Sequence, residues 1–358
     1  MSKCFVYKKN FSLVSGSSLS EFTLSYETYG GLNKDKTNCI LICPALTGDA
    51  SVSDGGWWDG VVGSGKAIDT DKYFVLCSAV LGSCKGSTNP CSIDPNTGEP
   101  YGINFPLLTI EDMVHAQRKL LSFLDIDSLC FVVGPSMGGM QALFWSILYP
   151  DMVKNCIVIA STAKFSPQAL AFGTVGRSAI TYDPDWRDGS YTTFNTSPKK
   201  GLAIARMIGH LTYLSARSIE MKFGRRFQNK KELHYNFSSE FQIESYLSYQ
   251  GDKFVKTFDA NSYLYLSKAM SYFDLDTQFG GLENAFSLTK ATFLILSIDT
   301  DWLYPSSSSR LMAKQLMRLN REVTYAEVVS DYGHDAFLIE QDKFSELISS
   351  FVMARCDV

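Results

Sequence analysis

The chain has 358 residues, 45% of them hydrophobic and 20% charged, which is the balance of an ordinary globular protein. Acidic side chains number 37 against 33 basic ones, a net charge of −4, and this excludes a global basic field for nucleic acid or an anionic membrane. The length allows roughly two domains, or one α/β core carrying an insertion.

The first sixteen residues, "MSKCFVYKKNFSLVSG", lack the apolar run of a signal peptide. No stretch approaches the ~20 apolar residues that span a bilayer. Cytoplasm is the expected location. Nine cysteines are present with no C-x-x-C pair. Several sit in apolar runs such as "LICPAL" and "LCFVVG", where they read as small buried hydrophobes in a reducing compartment.

Residues 22–29, "FTLSYETY", alternate and are rich in β-formers, so they read as an early strand. Continuous apolar runs of strand length follow at 39–43, 73–77, 130–134, 156–160 and 293–297, each typical of a strand buried on both faces. A last strand is expected at 323–329. Between them lie helical patterns. Thr109 precedes "IEDMVHAQRKLLSFL", and Asp112 completes a capping-box pattern. Met113, Ala116, Leu120, Leu121 and Leu124 form its apolar stripe. Further helices are expected at 306–319 and 342–353. Strands alternating with helices predict a mostly parallel, doubly wound α/β sheet. Residues 166–285 break this rhythm, with helix-like segments near 199–217, 238–250 and 261–272. They are expected to form a helical lid on a core made of residues 1–165 and 286–358. The basic run from Lys222 to Lys231 inside it, with Arg225, Arg226 and Lys230, reads first as a solvated helix end and second as an anion subsite.

The stretch "CFVVGPSMGGMQALFWSIL" runs strand, Gly-x-Ser-x-Gly, helix. That order is the nucleophile elbow of the α/β-hydrolase fold: a sharp turn lifts one serine above the sheet at a helix start, where backbone amides can receive an oxyanion. Ser136 is therefore the candidate nucleophile, with Gly134 and Gly138 small because backbone passes close. A serine needs a base, and the base needs a carboxylate, in the chain order Ser, acid, His. Of His115, His210, His234 and His334, only His334 follows a strand end well beyond the serine, in "SDYGHDAF". His115 reads as a surface or packing histidine, and His210 as core, surface or pocket wall. The acid should follow "FLILS", where Asp299 and Asp301 both stand and spacing does not separate them. No His or Cys grouping suggests a metal site.

With these motifs on the page, the chain resembles the homoserine O-acyltransferase family over most of its length. The matching strings include "LSYETYGGLN", "GWWDGVVGSGKAIDTDKYFVLCSAVLG", "GSTNPCSIDPNTGEPYG", "GLAIARMIGHLTYLS" and "DTDWLYP". The resemblance implies a triad of Ser136, Asp301 and His334. It implies an oxyanion hole from the backbone amides of Met137 and Leu46. Arg206 and Asp335 would bind the carboxylate and ammonium of an amino acid substrate, chemistry that suits a guanidinium and a carboxylate. The implied reaction moves an acetyl group from acetyl-CoA, a co-substrate rather than a bound cofactor, to L-homoserine, a step of methionine biosynthesis. A homodimer through the lid is also expected, with the apolar segment 262–273 as contact or as lid core.

Two positions bear on the substrates. Relatives carry His where this chain has Pro44, and a further His where it has "DASVS" with Ser51 and Ser53, so serine stays open as acceptor. Succinyl-transferring relatives carry Arg where this chain has Leu303. Leucine offers a succinyl carboxylate no partner, which favours acetyl. An esterase, with water as acceptor, and a non-catalytic binding module are the rival readings.

Overall fold

The computed structural model describes residues 2–229 and 232–355. Eight strands form the central sheet: β1 Lys3–Tyr7, β2 Phe22–Tyr29, β3 Cys39–Ile42, β4 Phe74–Ser78, β5 Leu129–Pro135, β6 Val153–Ile159, β7 Thr292–Ile298 and β8 Val323–Val328. Their order across the sheet is β1-β2-β4-β3-β5-β6-β7-β8. β2 runs antiparallel to both its neighbours, and every other pair is parallel. The apolar runs explain this: β3 and β5 are buried at every position, as a strand covered on both faces must be.

α1 Ile110–Phe123 leads into β5, α2 Met137–Leu148 joins β5 to β6, and α10 Ser306–Arg318 joins β7 to β8. α11 Ala336–Ile339 and α12 Gln341–Met353 follow β8. Met113, Leu120, Leu143 and Met312 pack in one core cluster with the inserted helices; Trp58, Phe337, Phe344 and Phe351 pack in the other. The capping box at α1 forms as expected, Thr109 Oγ1 accepting from Asp112 N and Asp112 Oδ2 from Thr109 N. The α1 stripe is buried except Leu124, which ends the helix half-exposed.

Among the described residues seven α-helices fill the insertion between β6 and β7: α3 Pro167–Thr181, α4 Lys199–Tyr213, α5 Ala216–Lys222, α6 Gln242–Phe254, α7 Ala260–Ser271, α8 Leu275–Gln278 and α9 Leu282–Ser287. Three differences from the sequence reading have physical causes. The helix expected over 199–217 breaks at Leu214, because Ser215 caps a new helix by accepting from Ser218 N. α3 was not expected; its start is marked by Ser166, which accepts from Ala169 N, with Pro167 at the first helical position. The boundary drawn at 285/286 falls inside α9, and segment 262–273 turns inward. Tyr263, Leu264, Tyr265, Leu266, Ala269, Met270 and Phe273 are buried, so most of this segment is core of the insertion, with Tyr272 exposed.

In the basic run, Lys222 Nζ lies 4.7 Å from the Tyr246 ring centroid and the Arg225 guanidinium 5.0 Å from that of Phe241. Lys230 and Lys231 lie outside the described residues, as does Cys356. Among the described residues no cysteine forms a disulfide. Among the described residues no helix is long and apolar enough to cross a membrane.

Candidate active site

β5 delivers the chain to Ser136 at φ 56° and ψ −122°, a region that non-glycine residues occupy only when their surroundings hold them there. Two hydrogen bonds do so: Ser136 N–H donates to Ile159 O (2.9 Å), and the Ser161 hydroxyl donates to Ser136 O (2.7 Å). The expected close approaches are present. A Cβ on Gly134 would lie 1.9 Å from Gly138 O, and one on Gly138 would lie 2.0 Å from Cys43 O. The second approach seats the loop after β3, which carries Leu46, against the first turn of α2. Met137 opens that helix, so its N–H has no acceptor one turn back.

The other two triad candidates arrive from neighbouring strand ends. His334 Nε2 lies 2.9 Å from Ser136 Oγ, and His334 Nδ1 lies 2.7 Å from Asp301 Oδ2. Asp301 Oδ1 accepts from Leu303 N and Tyr304 N, both at 2.9 Å. All three side chains are at least nine-tenths buried. Asp299, which spacing left level with Asp301, is exposed and accepts from Ser330 N (2.9 Å), tying the β7 loop to the β8 loop. Burial opposes a charge on His334, yet the Asp301 carboxylate, by charge and hydrogen bond, and Asp335 beside it outweigh that. The ring's pKa stands above the ordinary histidine value. With Nδ1 facing a carboxylate, its proton sits there, and Nε2 is free to accept from the serine.

Three aromatic rings enclose His334. Tyr304 meets it edge-on at 5.2 Å, Phe337 at 5.5 Å, and Tyr213 lies tilted at 5.9 Å. None was singled out from the sequence. The signal for Tyr304 was its place three residues after Asp301, inside the turn that the carboxylate caps.

Arg206 lies on α4 with its guanidinium 4.8 Å from the Phe254 ring centroid and 5.6 Å from that of Tyr213. Among the described residues no carboxylate lies within 4.0 Å of it, so it forms no salt bridge within the insertion. Asp335 faces the same space. Burial raises its pKa and Asp301 adds to the rise, against the opposing charges of His334 and Arg206. His210 is buried, with Nδ1 3.2 Å from the Tyr246 hydroxyl. Burial first, then Arg206 and Lys222, hold its pKa down to about 3. His115 bonds Tyr149 (2.7 Å) and Glu111 (3.3 Å) away from the triad, and His234 is exposed. Beside the triad a cavity of about 50 Å³ is bounded by Leu46, Leu303, Tyr304, Tyr213, Thr212 and Met270.

Residues 38–341 match the family profile of the alpha/beta hydrolase fold. A homoserine O-acetyltransferase of Methanobrevibacter ruminantium is 53% identical over 357 residues, spanning 98% of this chain and 73% of that protein. The chain belongs to the homoserine O-acetyltransferase family. Among solved structures, a homoserine O-acetyltransferase from Bacillus anthracis superposes with a TM-score of 0.91 at 29% identity, covering 98% of this chain and 97% of that one. The esterase E22 superposes with a TM-score of 0.89, also at 29% identity, covering 98% and 100%.

The structure gives Pro44, in the loop after β3, a fixed setting. Gln141 Nε2 donates to Pro44 O (3.0 Å), Gln117 Nε2 to Gln141 Oε1 (2.9 Å), and Trp145 Nε1 to Gln117 Oε1 (2.8 Å). This buried chain of amides links α1 and α2 to the loop that carries Leu46.

Proposed function

We propose that the protein transfers an acetyl group from acetyl-CoA to the hydroxyl of L-homoserine through an acyl-Ser136 intermediate, a reaction that would serve methionine biosynthesis. The observation that supports the reaction class is the hydrogen-bonded line from Ser136 through His334 to Asp301, with 2.9 Å and 2.7 Å steps. The substrate pair rests on the 53% identity to a protein named homoserine O-acetyltransferase.

In the first half, His334 Nε2 takes the Ser136 proton as Oγ attacks the thioester carbon. The carbonyl electrons collect on an oxygen held by the N–H groups of Met137 and Leu46. Coenzyme A leaves with the proton from His334. In the second half the homoserine hydroxyl loses its proton to His334 and attacks the acyl-serine. Arg206 holds the substrate carboxylate and Asp335 its ammonium. Burying a zwitterion without both partners is costly, which makes these two groups the selectivity for an amino acid. Leu303 and Leu46 line an apolar cavity that suits a methyl group and gives a succinyl carboxylate no partner.

The test is a thiol-release assay crossing acetyl-CoA and succinyl-CoA with homoserine and serine. Acetyl-CoA with homoserine is expected to be fastest, and Ser136→Ala should cost about 10⁴-fold or more. A faster rate with succinyl-CoA would overturn the reading of Leu303, and one with serine that of the acceptor. The likeness to esterase E22 favours hydrolysis as the second reading. Acetyl-CoA hydrolysis that homoserine does not accelerate would establish it.

A further inference from the structure

The two backbone amides proposed to receive the oxyanion sit on different elements, Met137 on α2 and Leu46 in the loop after β3, and one side chain reaches both elements. Gln141 lies one turn along α2 from Met137 and is buried. Its Nε2 carries two protons. It donates to Pro44 O at 3.0 Å and lies 3.4 Å from Met137 O. The loop is held at three successive residues: Cys43 N–H donates to Val133 O (2.8 Å), Pro44 O accepts from Gln141, and Ala45 O accepts from Gly48 N (2.9 Å). Ala45 O and the Leu46 N–H belong to one planar trans peptide, so they point in opposite directions. Holding Pro44 O fixes the peptide plane next to the one that aims the Leu46 N–H.

The direction of the Gln141 amide is itself fixed. An indole N–H only donates and a peptide carbonyl only accepts. Trp145 Nε1 donates to Gln117 Oε1 (2.8 Å), which turns the Gln117 NH₂ toward Gln141 Oε1 (2.9 Å), which turns the Gln141 NH₂ toward Pro44 O. Flipping either amide would set like groups against each other at both of its ends. All three side chains are buried. Apolar side chains of this size would fill the space between α1 and α2 without needing partners; what the glutamines add is orientation.

We propose that Gln141 is a positioning residue for the oxyanion hole: its amide nitrogen holds the β3 loop and the first turn of α2 at one spacing, and Gln117 and Trp145 keep that amide turned to donate. The proposal rests on the acyl-Ser136 reading. When Ser136 Oγ bonds to the carbonyl carbon, the electron pair of the C=O bond moves to its oxygen, and the N–H groups of Leu46 and Met137 must both be in range of that one atom. Gln141 makes no bond to substrate. A side chain of equal length without the donor frees Pro44 O, lets the loop slide along α2, and lengthens one of the two oxyanion bonds while Ser136, His334 and Asp301 keep their places.

Gln141→Met makes that change. The measurement is the acylation rate with p-nitrophenyl acetate and with p-nitrophenyl thionoacetate, in which sulfur replaces the carbonyl oxygen. Sulfur is a weak acceptor and draws little from the two N–H groups. Gln141→Met should acylate about 10- to 100-fold more slowly with the oxygen ester, somewhat less than the loss of a whole oxyanion donor. The thiono ester should lose less, so the oxygen-to-thiono ratio falls below that of the wild type. Gln117→Met leaves the Gln141 donor in place but frees it to turn, and should lower the ratio in the same direction by a smaller amount. It also carries the test alone if Gln141→Met does not fold. Equal losses with both esters, or a lower melting temperature with a wild-type ratio, assign the amides to stability alone and overturn the proposal. Ser136→Ala in the same assay separates the two readings: wild-type acylation there sinks the acyl-Ser136 reading, whereas a silent Ser136→Ala beside an unchanged ratio sinks only the role of Gln141.

Discussion

His334 is drawn in two directions by its neighbours, and its two duties respond to pH with opposite signs. Its pKa in the fold lies above the ordinary value of about 6.5, because Asp301 and Asp335 outweigh burial. The charged His334–Asp301 pair therefore stabilises the fold fully below about pH 6.5, and that contribution is lost as pH rises through the raised pKa. The proposed role as a base requires the neutral ring. The rate should rise with pH along a limb whose midpoint lies above that of a free imidazole. A kcat/KM profile from pH 5 to 9 checks this, and a midpoint below 6.5 would contradict the electrostatics described for the pair. At this scale Ser136 and His334 were legible in the sequence, since the glycine-flanked turn and the chain order leave few choices. Asp301 was not separable from Asp299 by spacing. Both stand at the end of β7, and only the turn of the chain sends one side chain inward to His334 and the other outward to Ser330. The rings of Tyr213, Tyr304 and Phe337 were silent because aromatic residues in apolar surroundings are ordinary core.

Among the elements, the corner between α4 and α5 meets both loops that carry the triad candidates Asp301 and His334. Trp302 Nε1 donates to Leu214 O (3.3 Å), the Ser215 hydroxyl donates to Asp331 O, and a Cβ on Gly333 would lie 2.7 Å from Ser215 N. Gly333, at φ 66°, therefore lets the loop carrying His334 lie flat against that corner. The elbow depends on a tighter approach still. Gly138→Ala would drive a methyl group against Cys43 O, separating α2 from the loop of Leu46. Acylation by p-nitrophenyl acetate should fall at least 100-fold, the cost of displacing one oxyanion donor. A Gly138→Ala protein that acylates at the wild-type rate would mean that the β3 loop moves aside freely. The buried strands were legible because continuous apolar runs allow little else. β1 was missed because it is an edge strand with only Phe5 buried, and its sequence carries almost no pattern. α3 was missed because Gly173 and Gly176 weaken its propensity and most of it is only partly covered.

Across the whole molecule, the helical insertion lies in the chain between Ser136 and the pair Asp301 and His334, yet the three meet above the ends of β5, β7 and β8 in one sheet. The stretch 232–239 between α5 and α6 is exposed throughout, and backbone cleavage at such a site is commonly tolerated. A cut there would yield one fragment with β1 to β6 and Ser136, and another with β7, β8, Asp301 and His334. Each fragment should be inert toward p-nitrophenyl acetate, and mixing should restore turnover; turnover by the first fragment alone would contradict the proposed triad. The same arrangement makes the enzyme divisible into two silent halves whose reunion announces itself as product, so partners fused to the cut ends could be scored for association by colour alone.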